Sequence, residues 1–280
     1  MAANKIIGKE FLFNRRDGGE VSTLFYSSHK PDSPLLIDVH GGGFVSGHHY
    51  SDDRLCSYLN ERLDINVASI EYRYAPKVSY PVATYDCFDA LLGLFNDTDI
   101  NFNRNSIFLM GHSAGANIVA GLCILLEGQI NIRGQILNYP FLDAYIDPGN
   151  RTKYRFSIPP FNMKLLNKKY YPNKVARKDP LASPVYMDTQ KAKIMPDSLI
   201  ITCSMDSLRE DAIKYANVLK SAGTFVEHIE YEDAVHGFIE MVAAEKIKRV
   251  WWLGKSLVNK QYDLYSRAID KICSFITERL

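Results

Sequence analysis

At 280 residues, with 46% apolar and 23% charged content, the chain is long enough for one large α/β domain with a substantial core, and its composition is ordinary for a globular protein. Lys and Arg number 33 against 32 Asp and Glu, so a net charge of +1 gives no field that would gather nucleic acid or an anionic membrane surface, and the expected substrate is uncharged or weakly charged. The first 19 residues lack the run of roughly 7 to 15 apolar residues of a secretory signal, and no window approaches the roughly 18 of a membrane span; the expectation is a cytoplasmic protein.

Strand patterns at about Glu10 to Phe13 and Val21 to Ser27 flank Asp17-Gly18-Gly19, whose glycines supply the positive φ of a hairpin turn, so an antiparallel start is predicted. Leu35 to Val39 is the first buried strand and runs into His40-Gly41-Gly42-Gly43-Phe44. Ser51 is placed to cap a helix through about Leu63, and Val67 to Glu71 is the next strand. Apolar residues from Pro81 to Phe95 keep helical spacing. Ile107 to Met110 reads as a strand buried on both faces, and Ala114 to Leu126 as a helix, with Gly111-His112-Ser113-Ala114-Gly115 between them. A strand at about Gln135 to Tyr139 follows.

Alternation then stops. Residues 141–184 hold six prolines, many aromatics and one clear helical run, Asn162 to Tyr171. A stretch this long is too aromatic for a linker and too irregular for a connection, so it is read as a small cap inserted after the sixth strand region of a single domain spanning 1–280. Regular alternation resumes with a strand at Ser198 to Cys203, a helix at about Leu208 to Ser221, a strand at Phe225 to Tyr231, and helices at about Ile239 to Arg249 and Asn259 to Glu278. The adjacent Trp251 and Trp252 mark either a homodimer face or a cover over their own core. The fold class is α/β: a mostly parallel central sheet with helices on both faces.

A serine in G-x-S-x-G sits on a sharp strand-to-helix turn that lifts its hydroxyl towards substrate and sets the Ala114 N–H at a helix N-terminus. A hydroxyl is a weak nucleophile, so it needs a base within hydrogen-bond reach and a group that orients the base. His236, after the last strand, is the candidate base, whereas His112 should project differently and His48 and His49 read as loop residues. Asp206, at a strand end, is the candidate acid; Asp211 reads as solvated charge on a helix, and Asp233 shares the loop of the base. His40 to Gly43 can turn backbone N–H groups towards a carbonyl oxygen. Phe44, Tyr139, Phe141, Phe156 and Phe161 are candidate pocket residues. The five cysteines are odd in number, scattered and set among apolar neighbours, a pattern of reduced core thiols and of neither a disulfide framework nor a metal cluster.

These motifs together resemble the hormone-sensitive-lipase-like, or acetyl-esterase-like, family of α/β-hydrolases. His40 to Phe44 is similar to its oxyanion signature, Glu71 to Pro76 with Tyr80-Pro81 to the strand and helix ahead of the nucleophile, and Gly111 to Asn117 to the nucleophile elbow. Asp179 to Pro184, Asp206 to Asp211 and His236 to Phe238 resemble its later motifs. The resemblance implies Ser113 as nucleophile, Asp206 as acid, His236 as base, and the N–H groups of Gly42, Gly43 and Ala114 as the oxyanion hole. It implies hydrolysis of small, uncharged short-chain esters through an acyl-serine, with no metal and no cofactor. Ser207 stands where the family often has proline, and the segment ahead of His40 is short. An amide hydrolase with the same triad and a non-catalytic small-molecule receptor are the alternatives.

Overall fold

The computed structural model describes residues 6–154, 157–250 and 253–280. Phe156, Trp251 and Trp252 lie outside the described residues. Eight strands form one sheet: β1 (Lys9–Asn14), β2 (Glu20–Tyr26), β3 (Leu35–Val39), β4 (Asn66–Ile70), β5 (Ile107–His112), β6 (Ile132–Asn138), β7 (Asp197–Cys203) and β8 (Val226–Tyr231), in the order β1-β2-β4-β3-β5-β6-β7-β8. β1 pairs with β2 antiparallel, as the hairpin pattern predicts, β2 pairs with β4 antiparallel, and from β4 across to β8 every pair is parallel.

Period-two side-chain alternation in the central strands feeds two cores. Leu35, Ile37 and Val39 of β3 and Ile107 and Leu109 of β5 enter one apolar cluster, while Leu36, Phe108 and Met110 enter the other. Helices α2 (Val82–Asn96), α3 (Ala114–Leu125) and α6 (Arg209–Ser221) cover the first face, through residues such as Leu91, Ile118 and Tyr215. Helices α1 (Asp53–Leu63), α7 (Phe238–Ala243) and α8 (Gly254–Thr277) cover the second, through Leu55, Phe238 and Ile272. Burial on both faces explains why these strands read as continuous apolar runs. The short helix α5 (Thr189–Lys193) precedes β7.

The segment 141–184 contains helix α4 (Pro160–Tyr170) among short 3-10 turns. Met163 and Tyr170 of α4 are buried against the first core, and the Tyr80 N–H donates to the Tyr170 carbonyl at 2.8 Å.

Three elements depart from the sequence reading. Ser51 lies in a 3-10 turn, His49–Asp52, and α1 starts at Asp53 without a side-chain cap; the Asp52 side chain that precedes it is buried instead. The helix expected from Ile239 to Arg249 breaks at Glu245, whose φ is +56°. There the Lys246 N–H donates to the Met241 carbonyl at 2.8 Å and Glu245 N–H to Val242 at 2.9 Å, a left-handed helix stop made without glycine. The last helix begins at Gly254, ahead of Asn259. Among the described residues no helix is long and apolar enough to cross a membrane.

Candidate active site

Ser113 joins β5 to α3 with φ +55° and ψ −111°, a strained conformation for a residue with a side chain. Packing holds it there. A Cβ on Gly111 would lie 2.5 Å from the Gly115 carbonyl oxygen, and one on Gly115 would lie 2.1 Å from that of Val39. Only glycine lets α3 approach the strand ends this closely, and the Ser113 N–H donates to Asn138 of β6 at 2.9 Å.

Asp206 follows β7 and His236 follows β8, so the parallel sheet delivers both to the carboxyl edge where Ser113 stands. His236 Nε2 lies 2.8 Å from Ser113 Oγ, and His236 Nδ1 lies 2.6 Å from Asp206 Oδ2. The Leu208 N–H donates to the other carboxylate oxygen at 3.0 Å, fixing the rotamer of a buried Asp206. With Nδ1–H committed to the carboxylate, Nε2 presents its lone pair to the serine hydroxyl. Burial alone would pull the His236 pKa down; the Asp206 charge and hydrogen bond prevail and hold it above the ordinary histidine value.

The glycine loop after β3 lies alongside. Gly42 has φ +126°, and a Cβ there would come 1.8 Å from the Ser46 carbonyl oxygen. The Val45 and Ser46 N–H groups close the turn on the Gly42 carbonyl at 3.2 Å each. Among the described residues, the N–H groups of Gly42, Gly43 and Ala114 donate to no protein acceptor.

Two cavities meet at Ser113. One, of about 410 Å³, runs between the glycine loop and α7 past His236, Glu240 and Lys246. The other, of about 30 Å³, is closed by Phe44, Phe141, Met163, Leu166 and Leu208. Leu166, on α4, borders both.

Phe44 and Phe141 thus line the small cavity, their rings 6.0 Å apart edge to face, with Phe44 stacked on Tyr170 at 4.2 Å. Two other aromatic expectations are corrected. Phe161 is 69% exposed, because on α4 it is Met163 and Leu166 that turn inward. Tyr139 is buried beneath the histidine, its ring 5.2 Å from that of His236 and its hydroxyl bonded to Glu240, and it lines neither cavity. Asp211 is also not solvated: it is buried with Arg151 Nη1 2.6 Å away, and it accepts from the Asp143 N–H at 3.2 Å. Asp233 pairs with Lys260 at the surface. His112 points into the interior, where Nε2 meets Asp38 at 3.2 Å and Nδ1 lies 3.4 Å from Glu240.

Sequence reasoning missed Met163, Leu166 and Glu240. The inward spacing of Met163 and Leu166, three apart on α4, was a readable signal once the helix was placed; Glu240 gave none.

A model of the alpha/beta hydrolase fold family matches residues 36–240. The chain is 26% identical over 232 residues to an arylesterase of Saccharolobus solfataricus, covering 79% of this chain and 73% of that one. Among solved structures it is similar to a hyperthermophilic esterase from the archaeon Pyrobaculum calidifontis, with a TM-score of 0.77 and 25% identity over 93% of this chain and 85% of that one. It is also similar to the Francisella virulence factor BioJ, with a TM-score of 0.81 and 26% identity over 99% and 87% of the two chains. The chain belongs to the α/β-hydrolase fold family, and within it to the hormone-sensitive-lipase-like carboxylic ester hydrolases.

Proposed function

We propose that the chain hydrolyses small, uncharged, short-chain acyl esters through an acyl-serine on Ser113, with His236 as base and Asp206 orienting it. The observation that carries this reading is the His236 imidazole, 2.8 Å from the serine oxygen on one side and 2.6 Å from the carboxylate on the other. Ser113 Oγ attacks the ester carbonyl as His236 Nε2 takes its proton. The oxyanion is met by the N–H groups of Gly42, Gly43 and Ala114, which have no competing acceptor among the described residues. His236 returns the proton to the leaving alcohol, then activates a water that releases the acid by the reverse course.

The cavity of about 30 Å³ fits a small acyl group and the one of about 410 Å³ the alcohol, with segment 141–184 acting as the cap over both. The five free, buried cysteines fit a reducing compartment and support a cytoplasmic setting. The experiment is hydrolysis of p-nitrophenyl acetate, butyrate and octanoate, with p-nitroacetanilide as the amide arm, by wild type and Ser113→Ala. Short-ester activity that falls by orders of magnitude in the variant is expected. Equal activity in both proteins would remove Ser113 from the mechanism, and faster anilide than ester turnover would favour an amide substrate.

A further inference from the structure

The Glu71 carboxylate, just past β4, is surrounded by three imidazoles. His48 Nδ1 lies 2.6 Å and His49 Nδ1 2.7 Å from Oε2, and His40 Nε2 lies 3.5 Å from Oε1. His49 is satisfied, since its Nδ1 hydrogen-bonds Glu71 and its Nε2 meets the Ser22 hydroxyl at 2.9 Å. The other two are not. His40 Nδ1 donates to the Gly41 carbonyl at 2.7 Å, and its Nε2, facing a carboxylate oxygen, is buried and has no hydrogen-bond partner among the described residues. His48 Nδ1, in ion-pair contact with Glu71, is likewise buried and has no hydrogen-bond partner among the described residues. Two orphaned nitrogens aimed at an anion are costly as they stand and become favourable when a cation lies among them.

We propose that His48, His49 and Glu71 form a binding site for a divalent first-row transition metal of the zinc class, with His40 as an outer partner of the carboxylate. Imidazole nitrogens with one carboxylate suit zinc, cobalt or nickel and do not suit magnesium or calcium, which take oxygen ligands. The ligand atoms of His48, His49 and Glu71 already lie within 4.8 Å of one another; bonds of about 2.1 Å need edges of about 3.4 Å, a matter of side-chain adjustment. Outer partners are present as well: the Tyr74 hydroxyl bonds Glu71 and Ser22 holds His49.

A metal here would tie the end of β3, the His48-His49 turn and the end of β4 into one cluster behind the glycine loop that carries Gly42 and Gly43. Its role is to fix that loop, and it takes no part in bond making or breaking.

The test is calorimetric titration of chelator-dialysed protein with cobalt(II) chloride, read in parallel by visible absorption and by thermal melting. One ion per chain, the absorption bands of tetrahedral cobalt, displacement by zinc chloride and a raised melting temperature are expected. His48→Ala removes a side chain 43% exposed, and should weaken cobalt binding by at least about 10-fold. His29→Ala, an exposed histidine remote from the cluster in sequence, should leave binding unchanged. If the alanine variant loses its cooperative melt, His48→Gln supplies the same reading. Absence of a saturable site in the wild type, or equal affinity in the His48 variant, overturns the proposal.

Discussion

Leu166, with Ile158, borders both cavities at Ser113, and it stands about 3.1 Å from where a Cβ on Gly43 would be. Leu166→Ala removes three carbons and joins the cavity of about 30 Å³ to that of about 410 Å³. If the small cavity holds the acyl group in the transition state, three further chain carbons then find apolar surroundings. At ~0.8 kcal/mol for each buried carbon this amounts to ~2.4 kcal/mol, or roughly 60-fold in relative kcat/KM at ~1.36 kcal/mol per decade. The assay is the ratio of kcat/KM for p-nitrophenyl hexanoate to that for acetate in both proteins. Leu166 is only partly buried, so the stability loss should fall below the range of about 2–5 kcal/mol for a fully buried leucine, and a cooperative melt would confirm the fold. An unchanged ratio in a folded variant would refute the assignment of the small cavity to the acyl chain.

Other consequences can be measured independently. Because Asp206 lifts the His236 pKa against burial, kcat/KM should rise with pH through a midpoint above the ordinary value of about 6.5. Asp206→Asn should lower that midpoint and cost about 10⁴ in kcat, as loss of the orienting carboxylate does in such triads; a pH–rate profile with an unmoved midpoint would contradict this. By linkage, the pair's contribution to stability is full below the ordinary histidine range and is lost as pH rises through the raised value. Asp211→Asn strands the buried Arg151 guanidinium and should cost about 3–5 kcal/mol in chemical unfolding, whereas a loss under 1 kcal/mol would mean the pair is solvated. Gly42→Ala places a methyl 1.8 Å from the Ser46 carbonyl oxygen at φ +126°. It should displace the loop and lower kcat by about 10² to 10³ with KM little changed, the signature of a lost oxyanion donor.

What the sequence disclosed follows from what is local. The elbow is legible because its strain and its glycines lie within five residues, Asp206 because it follows the buried apolar run of β7, and His236 because it follows the alternating strand β8. The parallel sheet then brings the strand ends together without further instruction. What escaped is non-local. Asp211 looks solvated until Arg151 is known to lie beside it, 60 positions earlier in the chain. Phe161 looks like a pocket aromatic because aromatic character was weighed without the helical phase, which turns Met163 inward and Phe161 out. The stop at Glu245 defies sequence reading because a left-handed helix end usually recruits glycine, and here the Lys246 bond to Met241 holds it. In sequence His48 and His49 look like loop residues, yet they reach the Glu71 carboxylate across 23 and 22 positions.

Leu166 of α4 and Ile158 just ahead of it border both cavities, whereas the residues proposed as nucleophile, base, acid and oxyanion donors all follow strands of the sheet. Selectivity and chemistry are therefore separately inheritable traits. On the proposed function, substitutions on this helix would retune which esters are accepted while Ser113, set where Gly115 packs too closely on Val39 to admit a Cβ, stays as it is. Drift in substrate range should accordingly collect in α4 and leave the sheet edge untouched.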